Sequence, residues 1–272
     1  MTRALRIAFI SALLVVPTLH WARAADSTLI SIQTPRDARQ AYILVKPANP
    51  VASVVLFAGG HGALGLRSAS TMRWGDKNFL VRSRDMFAAQ GLMVAVVDAP
   101  SDHQQGMKAE FRMGSAHAGD IAAVADHLKK QAAVPVWLVG TSMGTFSAAG
   151  GAIAAKNIAG LVLTSTITRS KSNWKIAQSH RDGVASMALQ RISVPTLVIS
   201  HRKDGCDITP AADAAKLTQR LIKAAKVDLV LVDGGDPPKA DPCQAMSAHG
   251  FLGIESEVVG KIAEFVKRNS SE

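Results

Sequence analysis

Cysteine is scarce in this chain. Cys206 and Cys243 are the only two among 272 residues, and neither has a C-x-x-C or H-x-x-x-H spacing beside it. A structural zinc ion takes about four such ligands at short spacing, so no metal is expected and no cofactor is implied. Also missing are a Pro/Gly/Ser-rich linker, a fixed-period repeat and a low-complexity tract, which leaves nowhere to divide the chain. Lys and Arg outnumber Asp and Glu by 31 to 21, yet no arginine-rich run or aromatic-interleaved basic strip occurs. Dispersed positive charge is the pattern of a solvated surface, so no nucleic-acid partner is expected.

What is present begins at the N-terminus. Arg3 and Arg6 precede an apolar run from Ile7 to Leu19, and Ala22-Arg23-Ala24 puts small residues where a signal peptidase reads. The run falls short of the ~20 residues a spanning helix needs, and Pro17 interrupts it. The pattern predicts a signal peptide over 1–24, one domain over 25–272, no stable membrane anchor after cleavage, and a periplasmic or secreted location. Cleavage removes Arg3, Arg6 and Arg23 and no acid, so the formal charge of +10 falls to +7. An even cysteine count in an oxidising compartment predicts one disulfide, Cys206–Cys243.

Strand-length apolar runs alternate with helical periodicity, the signature of βα units and a mostly parallel sheet. Eight strands are expected, over 28–33, 40–46, 53–58, 92–98, 136–139, 160–164, 196–201 and 226–232. The first two alternate and suit an antiparallel edge, whereas the central ones are near-continuous Val/Leu/Ile runs that suit burial on both faces. Helices are expected over 78–90, 115–131, 143–155, 210–224 and 254–268, the last with Ile254, Val258, Ile262 and Phe265 on one stripe. The polar segment between Ser165 and Ser193 is either a small cap or a connecting helix with solvated charges.

Gly140-Thr141-Ser142-Met143-Gly144 follows the apolar run ending at Val139 and opens a small-residue helix. A nucleophilic serine must stand on a strained strand-to-helix turn, and flanking glycines give the backbone room to make it. With this motif the chain resembles the α/β-hydrolase superfamily over nearly its whole length past the signal segment. The resemblance implies an α/β fold with an eight-stranded, mostly parallel sheet, helices on both faces and at most a small cap. It implies that Ser142 is the nucleophile, Asp204 the acid and His249 the base, in the order Ser, Asp, His. Asp207, three residues on and nearer to Pro210, is the alternative acid; Asp233 and Asp236 suit turn chemistry in a breaker-rich loop. Met143 N–H would be one oxyanion donor, with the second from Gly60 or His61, because Ala58 stands where the family's turn usually has His. The His61 side chain would anchor its own loop. Of the other histidines, His103 at a strand's C-terminal end could line the cleft, His117 has no clear place, and His127 and His180 suit the surface.

These residues imply a serine hydrolase that cleaves a carboxylic ester through an acyl-enzyme on Ser142. The alternatives are a serine peptidase or amidase on the same fold, and a binding protein that merely keeps the fold. The partner is then a small-molecule ester. Arg67, Arg73, Lys77, Arg82, Arg84, Arg169, Lys171 and Lys175 could ring the cleft and favour an anionic one, and Leu64, Leu66, Met72, Trp74, Met143, Trp174 and Phe251 could make an apolar pocket.

Overall fold

The runs of Val, Leu and Ile pair into one sheet of eight strands. The structure, a computed structural model, describes residues 26–270; the expected signal peptide over 1–24 lies outside the described residues. The strands are β1 (Asp26–Gln33), β2 (Arg39–Lys46), β3 (Ala52–Phe57), β4 (Leu92–Val97), β5 (Val136–Thr141), β6 (Gly160–Thr164), β7 (Thr196–His201) and β8 (Val227–Val232). Their spatial order is β1-β2-β4-β3-β5-β6-β7-β8. β1 pairs antiparallel with β2 and β2 with β4, while every other pairing is parallel. Every residue of β3 through β7 is buried, as strands covered on both faces must be. The edge strands β1 and β8 keep exposed positions.

The helices are α1 (Phe79–Arg82), α2 (Arg84–Ala89), α3 (Ala109–Met113), α4 (Ser115–Gln131), α5 (Gly144–Ala154), α6 (Ala214–Arg220) and α7 (Glu255–Arg268). Strand alternation divides the core into two layers. Val55, Phe57 and Leu138 meet Ile121, Leu128, Phe146 and Leu217 from α4, α5 and α6 on one face. Val54, Leu56, Trp137 and Val139 meet Phe79, Phe87, Val258 and Ile262 from α1, α2 and α7 on the other.

Three local expectations give way. The helix expected over 78–90 is broken at Ser83, whose φ of −95° and ψ of 3° end α1 before its carbonyl accepts the first bonds of α2. The helix over 210–224 shortens to α6 behind a 3₁₀ turn, Ala211–Asp213. Between Ser165 and Ser193 there is no connecting α-helix, only turns and the 3₁₀ segments Gly183–Ser186 and Leu189–Arg191. Ile167, Ile176, Val184, Met187 and Ile192 are buried in the first core layer and draw this segment down onto the domain. α3 had no sequence signal, since five residues cannot display a helical period.

Candidate active site

Ser142 stands between β5 and α5 at φ 52°, a region rare for a residue with a side chain. Two glycines make this turn possible by close approach. A Cβ on Gly144 would lie 2.0 Å from the Phe57 carbonyl oxygen, and one on Gly140 would lie 2.5 Å from that of Gly144. The turn is held from both sides: Ser142 N–H donates to Thr164 O at 3.1 Å, and Thr145 N–H donates to Ser142 O at 2.9 Å.

Across the sheet edge, His249 lies in the 3₁₀ turn Ala248–Gly250, where the Ser247 hydroxyl oxygen accepts its backbone N–H at 3.2 Å. The Ser165 hydroxyl donates to His249 O at 2.8 Å, from a residue itself held at φ 42°. His249 Nδ1 is 3.0 Å from Asp204 Oδ2. The Asp204 side chain is fully buried just beyond β7, and both its oxygens have further donors. Cys206 N–H reaches Oδ1 at 3.0 Å, and the Thr209 hydroxyl reaches Oδ2 at 2.9 Å while lying 3.1 Å from His249 Nδ1. Asp207 has no such contact with the imidazole; its carboxylate lies against the Cys243 sulfur at 3.6 Å. Asp233 binds Gly234 N–H and pairs with Lys203, and Asp236 donates its N–H to Leu252 O, so both serve their own loop.

Ser142 and His249 open onto one cavity of about 550 Å³. With Nδ1 turned to Asp204, Nε2 is the free ring nitrogen, and neither it nor Ser142 Oγ has a hydrogen-bond partner among the described residues. Gly60, at φ 55°, and Met143 line the same cavity. Among the described residues, no protein acceptor takes the N–H of either. His61 instead lines a second cavity, of about 360 Å³, with Met107 and Trp174; the two cavities meet at Gly60 and Met143. His61 Nδ1 accepts Ala63 N–H at 3.1 Å, and its ring lies 3.9 Å from that of Trp74. Burial, with the positive charges of Arg112 and Arg73, holds the His61 pKa below its ordinary value, which suits an accepting, uncharged ring.

Other expected residues fall elsewhere. His103 stacks on Phe111 at 3.5 Å and lines neither cavity. His117 is buried against Ser147, and His127 contacts Tyr42. Of the apolar set, Trp74, Met143 and Trp174 border the cavities, whereas Leu64 and Phe251 are wholly buried in the core and Leu66 and Met72 pack against it. Of the basic ring, Lys77 lines the first cavity and Lys175 the second; Arg82 is bound to Glu255 and Arg169 to Asp213. Cys206 and Cys243 form the disulfide, with Cα atoms 4.6 Å apart, and Cys243 stands in the cavity wall. The cluster Cys206, Asp207 and Cys243 therefore offers a metal no thiolate.

Two supporting residues had no sequence signal, and a third, Asp98, suited a turn or cap. Thr209 and Ser165 meet Asp204 and His249 only through the fold. Asp98, buried beyond β4, accepts the N–H groups of Leu64, Gly65, Leu66 and Ala99 at 2.7 to 3.2 Å and so fixes the loop after β3.

No protein-family model and no curated protein matches the sequence. Solved structures do. The Pyrococcus furiosus esterase Pf2001 superposes with a TM-score of 0.63 at 15% identity, over 90% of this chain and 93% of that one. A dienelactone hydrolase from Anabaena variabilis gives 0.60 at 15%, over 90% and 99%. A puromycin-hydrolyzing peptidase from Mycobacterium tuberculosis gives 0.65 at 13%, over 95% of this chain but 41% of its own. Identities this low speak for architecture: the chain has the α/β-hydrolase fold.

Proposed function

We propose that the protein is a serine hydrolase of carboxylic esters, with Ser142 as nucleophile, His249 as base and Asp204 as acid. The observation that carries this is the line from the buried Asp204 carboxylate through His249 to a cavity that also holds Ser142 on its strained turn. In the reaction, Ser142 Oγ attacks the ester carbonyl carbon as its proton passes to His249 Nε2. The resulting oxyanion accepts hydrogen bonds from Met143 N–H and Gly60 N–H, both without protein acceptors among the described residues. We favour Gly60 over His61 because Gly60 shares the Ser142 cavity. His249 returns the proton to the departing alcohol, and water then cleaves the acyl-enzyme by the same steps. The Ser142–His249 hydrogen bond would form as substrate enters, since such contacts are often loose in the free enzyme.

The esterase and dienelactone hydrolase neighbours support hydrolysis on this fold, and the esterase suggests an ester substrate. The peptidase neighbour gives an amide reading some support, but more than half of that chain has no counterpart here. The two joined cavities could take the acyl and alcohol halves, and Lys77 and Lys239 beside the first suit an anionic ester. Export as a cleaved, periplasmic or secreted single domain fits the disulfide. Fluorophosphonate labelling with a chromogenic ester panel and an aminopeptidase panel tests the reading. Labelling and ester turnover that vanish in Ser142→Ala are expected. A wild-type protein that neither labels nor turns over would make it a binding protein on a hydrolase fold.

A further inference from the structure

Arg112, in the last turn of α3, is one of the largest fully buried side chains in the molecule. Its guanidinium lies directly beneath the loop after β3. Nη2 donates to Gly60 O at 3.2 Å, Nε to Met107 O at 3.3 Å and Nη1 to Ser147 Oγ on α5 at 3.0 Å. The fit to the loop is tight, since a Cβ on Gly62 would meet Nη2 at 2.3 Å.

Among the described residues no carboxylate forms an ion pair with this guanidinium. Asp98, the buried acid beyond β4 that binds the same loop, is occupied by four backbone N–H groups. The titratable rings that feel the charge, His61 and His117, are both held below their ordinary pKa, first by burial and in part by Arg112 itself. Burial pushes the Arg112 pKa down to about 9, which leaves the group charged at neutral pH. A buried cation without a counter-charge is costly, and an apolar side chain of similar length would fill the same space without that cost. Its three acceptors give each nitrogen one bond, serve three of its five N–H groups and carry no negative charge.

We propose that Arg112 is a positioning residue for the oxyanion loop: it fixes the Gly60 carbonyl, and so the turn whose Gly60 N–H lies one peptide unit earlier, and its charge is met by the negative charge that develops on the substrate oxygen. This rests on the serine-hydrolase reading above. The attraction between this charge and the oxyanion is absent from the ground state, so it acts on the transition state rather than on substrate binding. The chain behind it fits a fixed device. Ser147 Oγ, which receives Nη1, lies 3.0 Å from His117 Nε2, and the lowered pKa of His117 leaves that nitrogen free to accept the serine proton.

The test compares the wild type with Arg112→Met and Arg112→Lys on a neutral aryl ester and on an aryl trifluoromethyl ketone. With the ketone, Ser142 oxygen adds to the carbonyl carbon, its proton passes to His249, and the carbonyl oxygen becomes a stable oxyanion. R112M should lower kcat by about 100-fold with KM within about 3-fold, and should weaken the ketone by the same factor as kcat. R112K should recover about 10-fold, and its activity should fall at a lower alkaline pH than that of the wild type, because a buried ammonium gives up its proton before a guanidinium in the same place. Unchanged kcat and ketone affinity in R112M, or losses that track only the folded fraction, would overturn the proposal. If R112M fails to fold, R112K decides: a wild-type pH profile with wild-type ketone affinity overturns it. Wild-type protein that neither labels nor hydrolyses fails the serine-hydrolase reading first, before any Arg112 variant is made.

Discussion

At the residue scale, the question is which acid serves His249. The Asp204 carboxylate is buried on the imidazole with Cys206 N–H and the Thr209 hydroxyl completing its bonds, whereas Asp207 lies away from the ring. Asp204→Asn should therefore cost about 10⁴ in kcat, because an amide there holds the wrong tautomer, while Asp207→Asn should stay within about 3-fold. Steady-state kinetics on both variants checks this, and the reverse order would move the acid to Asp207. Thr209 extends the argument. Its hydroxyl has one proton, directed at Asp204 Oδ2, so the His249 Nδ1–H is shared between that oxygen and Thr209 Oγ1. Thr209→Val leaves a buried carboxylate short of a donor and should lower kcat by about 10-fold, with Thr209→Ser restoring most of it, since an unmet buried hydrogen bond to a charged group costs ~1.5 to 3 kcal/mol. The proposed set of Ser142, Asp204 and His249 could be picked out in the sequence because residue type, order and flanking strands narrow the choice. Thr209, Ser165 and Arg112 could not: a threonine before a proline, a serine after a strand and an arginine in a short helix are ordinary in sequence, and only the fold brings them to the site.

At the element scale, the junction of β5 and α5 bears most directly on the site. Gly144 packs its Cα against the end of β3, so Gly144→Ala would drive a methyl group into the Phe57 carbonyl. Backbone on both sides leaves little relief, and the loss of stability should reach or exceed the upper end of the ~1 to 3 kcal/mol typical of overpacking. Chemical denaturation with unchanged stability would show that the turn can shift. The strands were readable for the same physical reason that they form: β3 through β7 are buried on both faces and so are apolar without interruption. α4 was readable to its ends by its long periodic face, while the helix before β4 hid a break at Ser83 because φ and ψ at one residue leave the hydrophobic period intact. The cysteine bond is a tie between elements. It joins the loop that holds Asp204 to the wall segment six residues before His249, across a sequence separation of 37. The chain-entropy model gives ~4 kcal/mol for such a loop, and acid and base on separate loops lose rate if they drift by ~1 Å. Reduction, or Cys206→Ser, should lower both Tm and kcat. Full activity and an unchanged Tm after complete reduction would leave the bond without either role.

At the scale of the whole molecule, positive charge is in excess but unevenly available. Arg82 is spent on Glu255 and the Gly250 carbonyl, Arg169 on Asp213, Arg84 on the Val81 carbonyl and Arg73 on the Gln104 carbonyl. The lysines at the cavities differ: Lys77 and Lys239 at the first and Lys108 and Lys175 at the second are exposed, and none is in an ion pair among the described residues. Asp76 and Glu110 are the acids beside them, so both mouths carry a net positive charge at neutral pH. A charge-lined mouth raises the local concentration of an oppositely charged substrate, and salt removes the effect as the Debye length falls from ~30 Å at about 0.01 M to ~3 Å at about 1 M. Across that range kcat/KM should fall several-fold for an ester bearing a carboxylate and stay nearly level for its neutral methyl ester, with kcat unchanged for both. Lys77→Gln with Lys239→Gln should flatten the first curve. Parallel salt curves for the two esters in the wild type would instead return these lysines to the solvated surface, and the substrate would have to be sought among neutral esters.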